Sequence, residues 1–202
     1  MIKTIIFDIG NVLMTYDWVR YINEEFGAEK ADVINEAVWG DGRWEELDRG
    51  VLSEEEIFRG MREHAPGYED DVMEALKHTD HCMIKRNFAI SWIQEYKAAG
   101  FRVLFLSNYS DFLLRFHSPC MDFLPYMDGG VFSYKVKLLK PDPAIYRCIC
   151  DSYDLKPEEC IFIDDNAANI AAANEFGIHG FLFTGYEDTR ARVSEYLADE
   201  SK

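Results

Sequence analysis

The sequence predicts an α/β protein, a Rossmann-like parallel sheet flanked by helices, with an all-helical cap inserted into it. Short apolar, β-rich runs at 4–9, 101–106 and 160–163 end in or run into polar residues, the pattern of strands buried on both faces. Helical patterns separate the later runs, and strands alternating with helices imply a parallel sheet covered on both sides. From 14 to about 84 the pattern is helical alone, which marks an insertion. The expected partition is a core of residues 1–16 and 87–202 and a helical cap of residues 17–86.

The first run, Thr4-Ile5-Ile6-Phe7-Asp8-Ile9-Gly10-Asn11, carries Asp8 to the end of a buried strand and turns at Gly10-Asn11. Ligands of open α/β sheets bind outside the carboxyl ends of such strands. An Asp at a strand end also commonly caps a turn, so Asp8 needs partners before chemistry is assigned to it. In the insertion, helices are expected at 17–26, 30–39, 53–64 and 68–78, from helically spaced apolar residues such as Val33, Ala37 and Val38. Ser53 with Glu56 forms a capping box, while Gly27, Gly40-Asp41-Gly42, Gly50 and Pro66-Gly67 break the helices.

The alternation resumes from Ile84. A helix through Ser91 stops at Gly100, and the strand 101–106 ends at Ser107-Asn108. A helix over 142–153 leads to the strand 160–163, which ends at Asp164-Asp165. The helix 167–176 is rich in small residues that let it lie close on a sheet, with Gly177 as its C-terminal cap. A strand at 180–183 and a helix at 187–197 complete the core, and the acidic end at Asp199-Glu200 reads as frayed.

Charge narrows the partners. The 202 residues carry a net charge of −16, which disfavours nucleic acid and anionic membrane surfaces because both require a positive field. No run approaches the roughly 20 apolar residues of a membrane span, and the N-terminal run is cut by Asp8 and lacks a signal-cleavage pattern; a cytoplasmic protein, as a monomer, is expected. Five cysteines, an odd number without scaffold density, suit reduced thiols. Cys148 and Cys150, two residues apart on a predicted helix, point to different faces, which favours packing over zinc.

The doubly wound sheet gathers Asp8, Ser107-Asn108 and Asp164-Asp165 on one rim. Crowded carboxylates repel, and a divalent cation or a raised pKa relieves them. Oxygen-only ligands suit Mg²⁺, which keeps coordination positions for water or a phosphate oxygen. One of Asp164-Asp165-Asn166 also reads as a helix N-cap. In Lys140-Pro141-Asp142-Pro143, Pro141 biases Lys140 toward extended backbone, and Asp142-Pro143 reads as N-cap and first helical residue. A lysine framed in this way can neutralise both Asp8 and an incoming phosphate.

These residues resemble the four motifs of the haloacid dehalogenase superfamily in its phosphatase branches: Asp8 in the first, Ser107 in the second, Lys140 in the third and Asp164-Asp165 in the fourth. Phe-Asp-Ile-Gly-Asn-Val-Leu and Phe-Ile-Asp-Asp-Asn-Ala-Ala-Asn-Ile look closest to the α-D-glucose-1-phosphate phosphatase-like subgroup, related to the phosphatase domain of soluble epoxide hydrolases. The resemblance implies a Mg²⁺-dependent phosphatase acting on a small phosphorylated metabolite such as a sugar 1-phosphate. It implies Asp8 as nucleophile forming an aspartyl-phosphate, and Ser107, Asn108 and Lys140 as phosphoryl contacts. It places Mg²⁺ on Asp8, Asp165 and the Gly10 carbonyl, with Asp164 nearby through water.

Two departures stand out. Gly10 occupies the place where most phosphatases of the superfamily carry a second Asp as general acid and base. Such catalysis is worth about 10²–10⁴-fold, so without a replacement the rate is expected to depend steeply on leaving-group basicity, with sugar 1-phosphates ahead of 6-phosphates. Lys137 stands where relatives usually have glycine, which bears on the loop carrying Lys140. Two other readings are a haloacid dehalogenase-type hydrolase, against which the Asp164-Asp165 pair speaks, and a non-catalytic phosphate-binding regulatory protein. Trp18, Arg20, Trp39, Arg43, Trp44, Asp48 and Arg49 are candidates for the mouth of the site, although an aromatic at helical spacing is more often core.

Overall fold

The structure, a computed structural model, describes residues 1–200. Five parallel strands form the central sheet: β1 (Thr4–Phe7), β4 (Arg102–Ser107), β5 (Gly130–Phe132), β6 (Cys160–Asp164) and β7 (His179–Leu182). Their spatial order is β5-β4-β1-β6-β7, so β1 is central and Asp8 follows it in the middle of the rim. Register aligns Ile6 with Leu104 on one side and Phe162 on the other.

Side chains alternate between the two faces, as a period of two requires. Ile6, Leu104, Leu106 and Phe162 pack with Ile145, Tyr146 and Ile149 of α9 (Pro143–Tyr153) and with Ile170 and Ala173 of α10 (Ala167–Phe176). Ile5, Phe7, Val103, Phe105, Ile161 and Ile163 face the other way, toward Trp92, Ile93 and Tyr96 of α6 (Ala89–Ala98) and Val193 of α11 (Tyr186–Asp199). Cys150 is buried in the first of these layers and Cys148 is half-buried, and all five cysteines are free thiols. The acidic end does not read as frayed here: α11 is helical through Asp199.

Between β1 and α6 the chain leaves through β2 (Met14–Tyr16) and returns through β3 (Met83–Lys85), which pair antiparallel. The segment they enclose holds α1 (Trp18–Phe26), α2 (Ala28–Trp39), α3 (Arg43–Arg49), α4 (Glu54–Glu63) and α5 (Glu69–Lys77). The Ser53–Glu56 capping box opens α4, with both reciprocal bonds made. The apolar residues of these helices, among them Ile22, Ile34 and Met61, join one continuous core with Ile5 and Phe7 of the sheet.

Six elements lack a signal long enough to be read in advance, and two of them, β2 and β3 with three residues each, put strand at both ends of a segment expected to be helical alone. α3 is seven residues between left-handed Gly42 and Gly50. β5 is three residues that follow Gly129 and begin at Gly130, where a side chain would run into Phe105. α7 (Asp111–His117), capped by Ser110, and α8 (Ser133–Val136) are one or two turns each. Lys137 closes α8 with φ 63, a left-handed position that glycine adopts more readily. Its ammonium donates to the Gly50 carbonyl of the insertion, so the departure ties two segments together.

Candidate active site

The extended backbone of β1 places Asp8 at the rim, where its N–H still donates to Ile163 O (2.8 Å) and its own Oδ1 accepts from Ile9 N (2.7 Å). Lys140 reaches it from the loop before α9. That loop is fixed at both sides of the lysine: Lys140 N donates to Asn108 Oδ1 (2.8 Å) and Asn108 Nδ2 donates to Lys140 O (3.0 Å). Asp142 caps α9 by accepting from Ala144 N, with Pro143 in the first turn, as the sequence pattern requires.

The buried ammonium of Lys140 lies 3.0 Å from Asp8 Oδ1 and 2.7 Å from Asp164 Oδ2. Asp164 is fully buried at the end of β6. Its oxygens also accept from Asn166 N (2.7 Å) and from Asn169 Nδ2 (3.0 and 3.1 Å). Asn166 is the N-cap of α10. Asp165, the next residue, is exposed toward the cavity. Carboxylate oxygens of Asp8, Asp164 and Asp165 lie within 4.8 Å of one another.

One ammonium among three carboxylates leaves an excess of negative charge. Burial pushes the Asp8 carboxyl up to about 7 against the pull of Lys140, and Asp164 and Asp165 add to the rise. Burial works against the charge of Lys140, but Asp8 and Asp164 together hold its pKa above the ordinary value. The cluster is therefore an anion-rich oxygen cage with one fixed cation, and this donor set fits a hard divalent ion such as Mg²⁺.

A cavity of about 330 Å³ opens above these groups, at the small end of ligand pockets. The core contributes Asp8, Gly10, Asn11, Asn108, Lys140 and Asp165 to its wall, and the insertion contributes Trp39, Trp44, Glu45 and Asp48. Trp39 and Trp44 lie 4.3 Å apart between ring centroids, with Tyr16 6.0 Å from Trp44. A larger cavity of about 440 Å³ borders Lys3 and Arg102, at the opposite strand ends.

The structure thus brings Asp8, Gly10, Asn108, Lys140, Asp164 and Asp165 together. Ser107 is buried at the last position of β4 and does not reach the cavity wall. Among the candidates for the mouth, Trp39, Trp44 and Asp48 line it; Trp18 is buried beside Trp44, and Arg20, Arg43 and Arg49 do not line it. Asn169 was not evident from sequence, although its place one turn after the Asn166 cap puts it on the face that meets Asp164.

Residues 2–177 match the haloacid dehalogenase-like hydrolases. The chain belongs to this family. Among the family's members with assigned activities, D-ribitol-5-phosphate phosphatase of Bacteroides thetaiotaomicron is 26% identical over 98% of this chain and 99% of its own. (S)-2-haloacid dehalogenase 1 of Pseudomonas sp. (strain CBS-3) is 33% identical over 45% of this chain, and the match spans only 40% of that enzyme. A HAD family enzyme of Bacteroides thetaiotaomicron, solved with magnesium and inorganic phosphate, superposes with a TM-score of 0.71 at 22% identity, over 90% of this chain and 94% of that one. At that identity the likeness bears on the fold, and it agrees with a parallel five-stranded sheet flanked by helices.

Proposed function

We propose that this haloacid dehalogenase-like hydrolase is a Mg²⁺-dependent phosphomonoesterase acting on a small organic phosphate, such as a sugar phosphate, in the cytoplasm. The observation that carries the reading is the Asp8–Lys140–Asp164 cluster, with Asp165 beside it, at the floor of a small cavity. The phosphatase relative aligned along nearly the whole chain supports it. The helical segment 17–86 serves as the cap, since α2 and α3 supply the cavity's outer wall.

In this mechanism Asp8 attacks phosphorus, and the bond to the leaving oxygen breaks. Water then hydrolyses the aspartyl-phosphate and returns the carboxylate. Lys140 holds Asp8 in line and offsets phosphate charge. Asn108 has its amide engaged on the backbone of Lys140, so its part is to fix that lysine. Ser107, buried behind the cavity wall at the end of β4, supports the site by its position next to Asn108 and makes no contact there itself. Asp8, Asp165 and the Gly10 carbonyl would hold Mg²⁺, because Asp164 is already occupied by Lys140, Asn166 and Asn169. Mg²⁺ would supply charge neutralisation for the transferring phosphoryl group.

The test is a phosphate-release screen over sugar phosphates, aryl phosphates and small acid phosphates, with and without Mg²⁺, on the parent and on Asp8→Asn. Release that needs Mg²⁺ and vanishes in Asp8→Asn is expected; activity within tenfold of the parent in that variant would remove Asp8 from its role. Halide displacement is the second reading, favoured by the dehalogenase segment match, and release of halide from a 2-haloacid without Mg²⁺ would establish it instead.

A further inference from the structure

Two carboxyls in the cavity wall, Glu45 and Asp48, are left unused by the reaction above; Glu45 is exposed to solvent, and Asp48 is the buried one. It belongs to α3, and its residue is only 7% exposed. Its backbone is clamped to the core: Ser133 Oγ donates to Asp48 O at 2.6 Å and accepts from Tyr109 N at 2.8 Å. Its Oδ1, by contrast, is buried without any hydrogen-bond partner. A buried oxygen left unsatisfied costs about 1–3 kcal/mol, and because Asp48 also lines the ligand cavity, a catalytic role is one of the accounts such an orphaned group calls for.

The alternatives for a proton donor fall away one by one. Gly10 has no side chain. Lys140 is committed to two carboxylates that hold its proton. The hydroxyls of Tyr16 and Tyr109 are pushed well above the ordinary phenol value by burial. Asp164 is fully bonded, and Asp8 and Asp165 have their parts in the mechanism. We propose that Asp48, delivered by the helical insertion, is the general acid and base of the reaction. The assignment rests on the phosphomonoesterase reading.

Burial, then Glu45 and Asp8, pushes the Asp48 carboxyl up to about 8, against the smaller pull of Lys140 and the Ser110 N–H, so near neutrality it carries the proton that a departing alkoxide needs. As Asp8 Oδ bonds to phosphorus, the electron pair of the breaking P–O bond goes to the leaving oxygen, which takes the Asp48 proton. The Asp48 carboxylate then accepts a proton from the water that attacks phosphorus. The Asp8–phosphorus bond breaks with its electrons returning to Asp8, and Asp48 is restored.

The experiment compares kcat/KM for an alkyl phosphate and for p-nitrophenyl phosphate, whose leaving group needs no proton, in the Mg²⁺-loaded parent and Asp48→Asn. The alkyl phosphate is expected to lose about 10²–10⁴-fold, carried in kcat, and p-nitrophenyl phosphate less than tenfold. Equal losses on both substrates, or a loss confined to KM, would overturn the assignment. Gly10→Asp in the Asp48→Asn background is expected to recover part of the alkyl activity, because a Cβ at Gly10 meets nothing within 4 Å and needs no left-handed backbone. The parent's own series of substituted phenyl phosphates tests the same point without a variant: a shallow dependence on leaving-group basicity supports an internal acid, and a steep one excludes it. A parent that releases phosphate from none of these substrates removes the phosphatase reading itself, and Asp48's role with it.

Discussion

Lys140→Met removes the single cation of a buried cluster and nearly preserves side-chain length. Two charge-assisted contacts disappear, at 3.0 Å to Asp8 and 2.7 Å to Asp164, each worth about 1.5–3 kcal/mol. Asp164 keeps its bonds to Asn166 and Asn169, so the expected loss sits within the roughly 3–5 kcal/mol seen when one partner of a buried ion pair is removed. At about 2–4 °C per kcal/mol for a chain of this size, Tm should fall by about 6–20 °C. The sign of the pH dependence follows from Asp8. Its folded pKa, raised from 3.8 to about 7, makes stability greatest below the unfolded value and lower as pH rises through the folded one. Removing Lys140 pushes that carboxyl further up, so the variant's deficit should be smaller at pH 5 than at pH 8. Thermal melts of the metal-free parent and variant at both pH values decide it. A Tm change under about 2 °C at pH 8 would mean that the ammonium contributes no net stability and the reasoning fails.

Asp165→Asn exchanges an anionic ligand for a neutral one and should raise the Mg²⁺ concentration needed for half-maximal binding by at least tenfold; an unchanged calorimetric titration would show that Asp165 is not a ligand. His117 is fully buried beside Tyr109 and is pushed down from 6.5 to about 4 by burial. Its contribution is present above pH 6.5 and is lost as pH falls toward 4, a window worth about 3 kcal/mol at 1.36 kcal/mol per pH unit. Urea unfolding at pH 7.5 and 4.5 should therefore show a smaller acid-side loss in His117→Gln than in the parent, and identical losses would refute it.

The core strands and the rim of Asp8, Asn108 and Asp164-Asp165 were legible in the sequence because a strand buried on both faces must be apolar along its length, so a carboxylate at its end stands out. Caps such as Asp142 and Ser53 were legible because they act on backbone groups within one turn. The short elements α3, α7, α8, β2, β3 and β5 were not, since three to seven residues carry too little periodicity and their form is set by what they pack against. The same limit hid the division of labour in the site. Asn108 reads from sequence as a phosphate contact, and only the fold shows that its amide also holds the backbone of Lys140, 32 positions away in sequence. Asp48 stood as one of seven unranked candidates for the mouth. What singles it out is an orphaned oxygen in a wall built from two distant segments, and desolvation by surroundings that only the folded chain assembles. Sequence determined which groups reach the rim, because strand chemistry is local; tertiary structure decided which of them are free to act, because hydrogen-bond satisfaction and burial are sums over the whole molecule.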